Sequence, residues 1–175
     1  MEFQTWKTIK LGTGLKTSHD FRRALGTAGC LLGANVGDVL SNPAFMVASK
    51  EIEVELVNIS VAELGFAEIE RKKNIYLRAQ ELGLDLCPAE VGPQLRLQFI
   101  DEPIVEDDSP LIAMEPIAMK PVPDLRRDLR IFQIDRNYKG SWLISRNADP
   151  YGFWFDSHRF VFCKRKKSLM ASLFG

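Results

Sequence analysis

Cys87 is the residue of this sequence whose type and position best fit nucleophilic chemistry. It follows a predicted helix in a turn, whereas the other two cysteines lie in apolar runs, and Glu90 comes three residues later. A thiol nucleophile requires a base, and of the two histidines His158 is the candidate. A buried structural cysteine is nevertheless the favoured interpretation, because free cysteine is among the most buried residue types.

Gln94, Arg96 and Gln98 recur at two-residue spacing and are candidates for ligand binding. On a strand these side chains share one face, and their planar groups could bind a carboxylate, a phosphate or an amide. A solvent-exposed polar surface is the simpler interpretation of the same pattern.

A cluster of aromatic residues near Arg159 is the other candidate ligand site. Its rings could line a pocket for a planar or sugar-like ligand, with Trp142, Trp154 and Arg159 as the principal contacts. Packing in the core is the favoured interpretation of these rings. The cluster comprises Trp142, Tyr151, Phe153, Trp154 and Phe155.

Metal and phosphate sites have no supporting pattern. The two histidines are far apart, and the carboxylates of Asp107, Asp108 and Glu115 are grouped in a way that is typical of a solvated loop. The Gly12-Thr13-Gly14 run lacks the third glycine of a dinucleotide fingerprint and the Gly-Lys-Ser/Thr of a P-loop, so a plain turn is expected. We predict no metal ion and no cofactor.

The stretch from Ile69 to Ile100 organises the elements that must position these residues. Its first part predicts an amphipathic helix that ends near Leu82, with Gly83 as a left-handed cap. Its last part alternates Leu95, Leu97 and Phe99 with polar residues, which predicts a strand packed against that helix. The helix has one buried stripe, formed by Ile69, Lys72, Ile75, Tyr76, Ala79 and Leu82.

The remaining elements are predicted from local signals. Thr17 and Asp20 indicate a helix start, and that helix should end near Ala28; a second helix is expected over 34–40. Strands are expected at 6–11, 53–61, 111–119 and 159–163, and a hairpin joins 129–134 to 141–145. This order predicts an α+β fold, a mostly antiparallel sheet with two or three helices packed on one face.

Several segments of the sequence resemble those of a group of short bacterial proteins of unassigned activity. They are LGLDLCPAEVGPQLRLQF, followed by LIAMEPI and FWFDSHRFVF, with FRRAL and VELVNISVAELGF earlier in the chain. The resemblance covers most of the chain and implies a bacterial protein of one domain. It implies no catalytic residue, cofactor or ligand.

Composition bounds the class of protein. The chain has 175 residues, 46% of them hydrophobic, which suits a single α+β domain over 1–163 followed by a basic, flexible tail over 164–175. Because 23 basic residues balance 23 acidic ones, we expect neither specific nucleic-acid binding nor membrane attachment. No secretory signal or membrane-spanning run is recognisable, so a cytoplasmic location is expected.

The favoured functional hypothesis is a non-enzymatic binding or protein-interaction module, immunity-like or regulatory, with an unknown protein or small-molecule partner. It rests on the lack of any recognisable catalytic constellation. The alternative is a small hydrolase or transferase that uses Cys87 or Glu90 with Arg96 and His158.

Overall fold

The computed structural model describes residues 2–104 and 113–166. These residues form eleven strands and four helices. In chain order they are β1 (Lys7–Leu11), α1 (Ser18–Thr27), β2 (Leu31–Leu32), α2 (Val36–Ser41), β3 (Ile52–Ser60), β4 (Ile69–Arg71), α3 (Lys72–Glu81), β5 (Leu84–Asp85), α4 (Val91–Gln98), β6 (Ala113–Pro116), β7 (Val122–Pro123), β8 (Leu129–Asn137), β9 (Gly140–Asn147), β10 (Phe153–Phe155) and β11 (Arg159–Lys164).

The strands of the described chain form three sheets. One has the order β1-β3-β11-β5 and is antiparallel throughout. A second has the order β2-β9-β8-β6 with β7 also paired to β8, and only its β2–β9 pair is parallel. A two-stranded antiparallel ribbon joins β4 to β10. The predicted α+β fold with mostly antiparallel sheets is therefore confirmed.

Apolar clusters cover both faces of the four-stranded sheet. Because side chains alternate along a strand, Val54 and Leu56 of β3 face one cluster while Val57 and Ile59 face the other. The first cluster joins α1, α2 and α4 to this sheet and to β8 and β9. The second holds α3, so three helices lie on one face and the fourth on the opposite face.

Local signals position the start of α1 and the C-terminal end of α3 as predicted. Thr17 accepts a hydrogen bond from the Asp20 amide while the Asp20 carboxylate accepts from the Thr17 amide, which completes a capping box. Gly83 follows α3 with a φ of 96°, the left-handed conformation that favours glycine. Helix α3 begins at Lys72 rather than Ile69, because residues 69–71 pair with β10 instead.

The predicted strand over 95–99 is wrong, because this segment belongs to helix α4 and its C-terminal end. Strand alternation predicts polar side chains that face water, yet Gln94 and Arg96 are buried along with Leu95. Their polar groups find hydrogen-bond partners from distant parts of the chain, which sequence periodicity does not show. Helix α3 consequently packs on β11, with the Tyr76 ring edge-to-face against Phe160 at 5.9 Å.

Gly92 and Pro93, whose residue types often interrupt helices, are compatible with helix α4. Pro93 lies in the first turn, where the missing amide has no helical partner to lose. Gly92 lies against Phe132, since a Cβ added at Gly92 would come within 2.7 Å of the Phe132 Cβ. The glycine therefore permits close approach of α4 to β8.

The second half of the chain follows the prediction more closely. The expected hairpin is formed by β8 and β9, with Asn137 paired to Gly140 across the turn. Lys164, the first residue of the predicted tail, ends β11, and Arg165 Nε donates to Asp85 Oδ1 at 2.8 Å. Residues 167–175 of that tail, the first two residues of the 111–119 strand, and Asp107 and Asp108 lie outside the described residues.

Candidate functional site

Cys87 lies in the interior rather than at a cleft. It is buried, and its thiol donates to the Val161 carbonyl at 3.5 Å. Burial raises the pKa of the Cys87 thiol, and the neighbouring Cys163 adds to this effect. The thiolate that a nucleophilic mechanism requires is therefore disfavoured at neutral pH.

The other members of the hypothetical catalytic set are also bound to backbone groups. Glu90 is fully buried, and its carboxylate accepts hydrogen bonds from the amides of Gly12 at 2.9 Å and Ala48 at 2.8 Å. His158 Nδ1 accepts from the Phe155 amide at 2.9 Å. These contacts hold loops in place.

Arg96 is completely buried and its guanidinium donates to backbone carbonyls. These carbonyls come from the end of α4 and the residues after it, from β8 and from β9, so Arg96 links three parts of the structure. The acceptors are Phe99 at 3.4 Å, Ile100 at 2.7 Å, Glu102, Asp135 at 3.0 Å and Trp142 at 3.2 Å.

Gln94 and Gln98 likewise bind protein groups. Gln94 Nε2 donates to Thr13 Oγ1 at 2.8 Å, and Gln98 exchanges two hydrogen bonds with the backbone of Lys10. Gln98 therefore satisfies the backbone amide and carbonyl of Lys10 at the free edge of β1, as a neighbouring strand would. The three side chains expected to form a polar surface instead fasten α4 to its surroundings.

The aromatic cluster is divided between different parts of the structure. Trp142 donates from Nε1 to Asn137 Oδ1 at 3.1 Å on the hairpin, whereas Trp154 is a buried residue of β10. Arg159 donates from Nε to Asn58 Oδ1 at 2.8 Å and forms an ion pair with Glu63 at 3.5 Å. The structure thus brings neither Trp142 nor Arg159 to Trp154.

Trp154 lines a cavity of about 500 Å³ at the start of α3. The walls come from Lys72 on α3, from the end of β9, from the loop that follows it and from β10. The lining residues are Lys72, Leu129, Arg146, Asn147, Ala148, Asp149, Pro150, Gly152, Phe153 and Trp154.

The loop after β9 positions Lys72. Asp149 Oδ1 accepts a hydrogen bond from the Tyr151 amide at 2.9 Å, which turns the chain. The carbonyls of Gly152 and Pro150 then accept from the first two amides of α3, those of Lys72 at 3.0 Å and Lys73 at 2.9 Å. The start of α3 is held against the cavity by these bonds, because a helix's first amides have no partner within the helix.

Lys72 is a buried cation, with 5% of its surface exposed. Its pKa is lowered to about 8, chiefly by burial; the Asp149 carboxylate opposes this shift and the neighbouring Arg146 contributes to it. Among the ion pairs of the described residues, none within 4 Å involves Lys72. Its ammonium lies 5.6 Å from the centre of the Tyr76 ring.

Arg146 is the second cation of the cavity. Its guanidinium stacks 4.3 Å from the centre of the Trp154 ring, and Nη1 donates to Gln133 Oε1 at 2.8 Å. Gln133 Nε2 in turn donates to Asp135 Oδ1 at 2.6 Å, so an uncharged amide separates the arginine from the carboxylate. Burial lowers the pKa of Arg146 and raises that of Asp135.

A second, more apolar cavity of about 320 Å³ adjoins the first. Lys72, Leu129, Ala148 and Pro150 line both. The far walls of the second cavity include Tyr76, Leu77, Leu86, Met119 and Pro121. Lys72 therefore stands where a cationic cavity meets an apolar one.

Sequence reasoning identified Trp154 but missed Lys72 and Arg146. A usable signal existed for Lys72, because a lysine in the apolar stripe of a helix must either reach water or be buried with its charge. Arg146 has no comparable signal, since alternation along β9 places it among ordinary polar residues.

None of the four described helices has the length and apolar composition needed to span a bilayer. Within the described part of the chain, no group of three His, Cys, Asp or Glu side chains is arranged as metal ligands would be. Comparison with family models, with curated proteins and with solved structures finds no match to this chain.

Proposed function

We propose that the protein is a non-enzymatic binding module whose ligand is a small organic acid held between Lys72 and Arg146. The observation that carries this proposal is the buried Lys72 beside the half-buried Arg146, neither of which forms an ion pair within 4 Å among the described residues. Removing a cation from water costs several kcal/mol unless a partner compensates it.

An anionic ligand would supply the missing charge. The guanidinium of Arg146 suits a carboxylate or phosphate, because its planar donors can bind two oxygens at once. The ring of Trp154 holds that guanidinium from one side. By contrast, the cation of Arg159 is already paired with Glu63, so the site near Arg159 offers less to an anion.

A thermal-shift screen with small carboxylates and phosphates tests this function. We expect at least one acid to raise the melting temperature of the wild-type protein, because a ligand that binds only the folded state stabilises it. Lys72→Met and Arg146→Gln should lose that shift. Lys139→Met is the matched control, since Lys139 is an exposed lysine that lines neither cavity, and it should retain the shift.

The stability of Lys72→Met without ligand provides a second test. Replacing a buried, unpaired charge by an apolar side chain of similar length is often neutral or stabilising. We therefore expect Lys72→Met to be at least as stable as the wild type while losing ligand binding. Acids that shift Lys72→Met as strongly as the wild type would contradict the proposed site.

A further inference from the structure

The amine of Lys72 is placed for covalent chemistry as well as for charge. It borders the cationic cavity on one side and the apolar cavity on the other, so a ligand that spans both must pass it. The Lys72 ammonium lies over the ring of Tyr76, and Arg146 lines the first cavity together with Lys72. A nitrogen in this position meets the middle of such a ligand.

We propose that Lys72 forms a reversible imine with a small aldehyde or ketone that also carries an acid group. The inference rests on the proposed function, because the acid group is held by Arg146 while the apolar body occupies the cavity beside Tyr76. It specifies the substrate class as carbonyl acids.

The chemistry requires no further reactant. The neutral amine of Lys72 adds its electron pair to the carbonyl carbon, which forms a C–N bond and moves the π electrons of the C=O bond to oxygen. The carbinolamine then loses that oxygen as water, with both hydrogens supplied by the nitrogen. The products are one imine and one water molecule, and hydrolysis reverses the reaction.

Two features of the site favour this step. The pKa of Lys72 is lowered to about 8, chiefly by burial, so about half of the amines are neutral at pH 8. A neutral imine also carries no charge, so it needs no carboxylate beside it. This suits Lys72, which has no ion pair among the described residues. Lysines made nucleophilic by desolvation beside another cation are known to form such imines.

Borohydride trapping with 4-formylbenzoate tests the proposal, because this compound has an aldehyde, a ring and a carboxylate. Intact protein is incubated with the compound at pH 8, reduced with sodium borohydride, digested and mapped by mass spectrometry. We expect adduct at Lys72 at least about tenfold above adduct at the exposed Lys139, since an ordinary lysine is almost wholly protonated at this pH. Comparable labelling of Lys72 and the exposed lysines would overturn the proposal.

Variants separate the failure of the imine from the failure of binding. Benzoate, which has no carbonyl able to form an imine, serves as the binding probe in a calorimetric titration. Lys72→Arg should bind benzoate but lose the adduct on its peptide, while Lys139→Arg should keep both. Arg146→Gln should bind benzoate more weakly and lower the yield of adduct.

Each remaining outcome has one meaning. Benzoate binding without adduct at Lys72 would reject the imine and leave the proposed function standing. Neither benzoate binding nor adduct would reject the imine, and failure of the wider acid screen as well would reject the proposed function.

Discussion

Glu115 is the residue whose ionisation should be most visible in the stability of the protein. It is buried, with Oε1 accepting a hydrogen bond from Asn58 Nδ2 at 2.8 Å, while Oε2 has no partner among the described residues. Its pKa is raised to about 7, chiefly by burial. The Asn58 hydrogen bond, Arg159 and Arg96 oppose this shift, and Glu102 contributes to it.

The raised pKa predicts a loss of stability as the pH increases. Between about pH 4.5 and about pH 7 the folded state binds a proton at Glu115 that the unfolded state has released, so its stabilising contribution is complete below this window and lost above it. The change should amount to about 3 kcal/mol. Urea melts of the wild type and Glu115→Gln at pH 5 and pH 8 measure this. Between these pH values the unfolding free energy of the wild type should fall relative to that of the variant. An unchanged difference between them would contradict the shift.

At the scale of elements, Leu95 and Leu97 distinguish a helix from the strand that alternation predicted. On a strand the two side chains would share a face, but on α4 they point about 200° apart, so Leu95 is fully buried and Leu97 only partly. Leu95→Ala should therefore cost about 2–5 kcal/mol of unfolding free energy, and Leu97→Ala clearly less. Urea melts at one pH measure both, and equal midpoints would favour the strand.

Glycine substitutions test the close approach of α4 to β8. Gly92→Ala should cost about 1–3 kcal/mol, because the added Cβ would meet the Phe132 side chain 2.7 Å away and one of the two elements must shift. Gly26→Ala is the matched substitution within α1, where an added Cβ meets nothing within 4 Å. It should instead stabilise by about 0.5–1 kcal/mol, as alanine does in a helix. Thermal or urea unfolding gives the sign of the stability change for each variant. If Gly92→Ala were stabilised, the close approach of α4 to β8 would be contradicted.

At the scale of the whole molecule, Arg96 connects α4 to β8 and β9. Arg96→Lys should cost about 3 kcal/mol, because an ammonium cannot reach carbonyls arranged around a planar fork and leaves some of them buried without a donor. Arg159→Lys is the control, since Arg159 is exposed and should lose under about 1 kcal/mol. Similar urea midpoints for the two variants would show that the buried network contributes little.

Features predicted correctly from the sequence depend on neighbours within a few residues. The capping box of Thr17 and Asp20, the left-handed Gly83 and the turn from Asn137 to Gly140 each follow from side-chain chemistry and backbone freedom at adjacent positions. The α+β class followed as well, because it is the sum of such elements. Sequence by itself thus determined the fold class, the start of α1, the end of α3 and the β8–β9 hairpin, but not the short strands β2, β4, β5, β7 and β10.

Tertiary structure alone decided the features that join distant segments. Helix α4 replaces the expected strand because Gln94 and Arg96 find their partners on β8, on β9 and near Thr13, contacts that compensate their burial. The cavity unites Lys72 with Arg146, whose separation in sequence leaves no periodic trace. Periodicity records the average exposure of a side chain, whereas a buried polar group is specified by its particular partner.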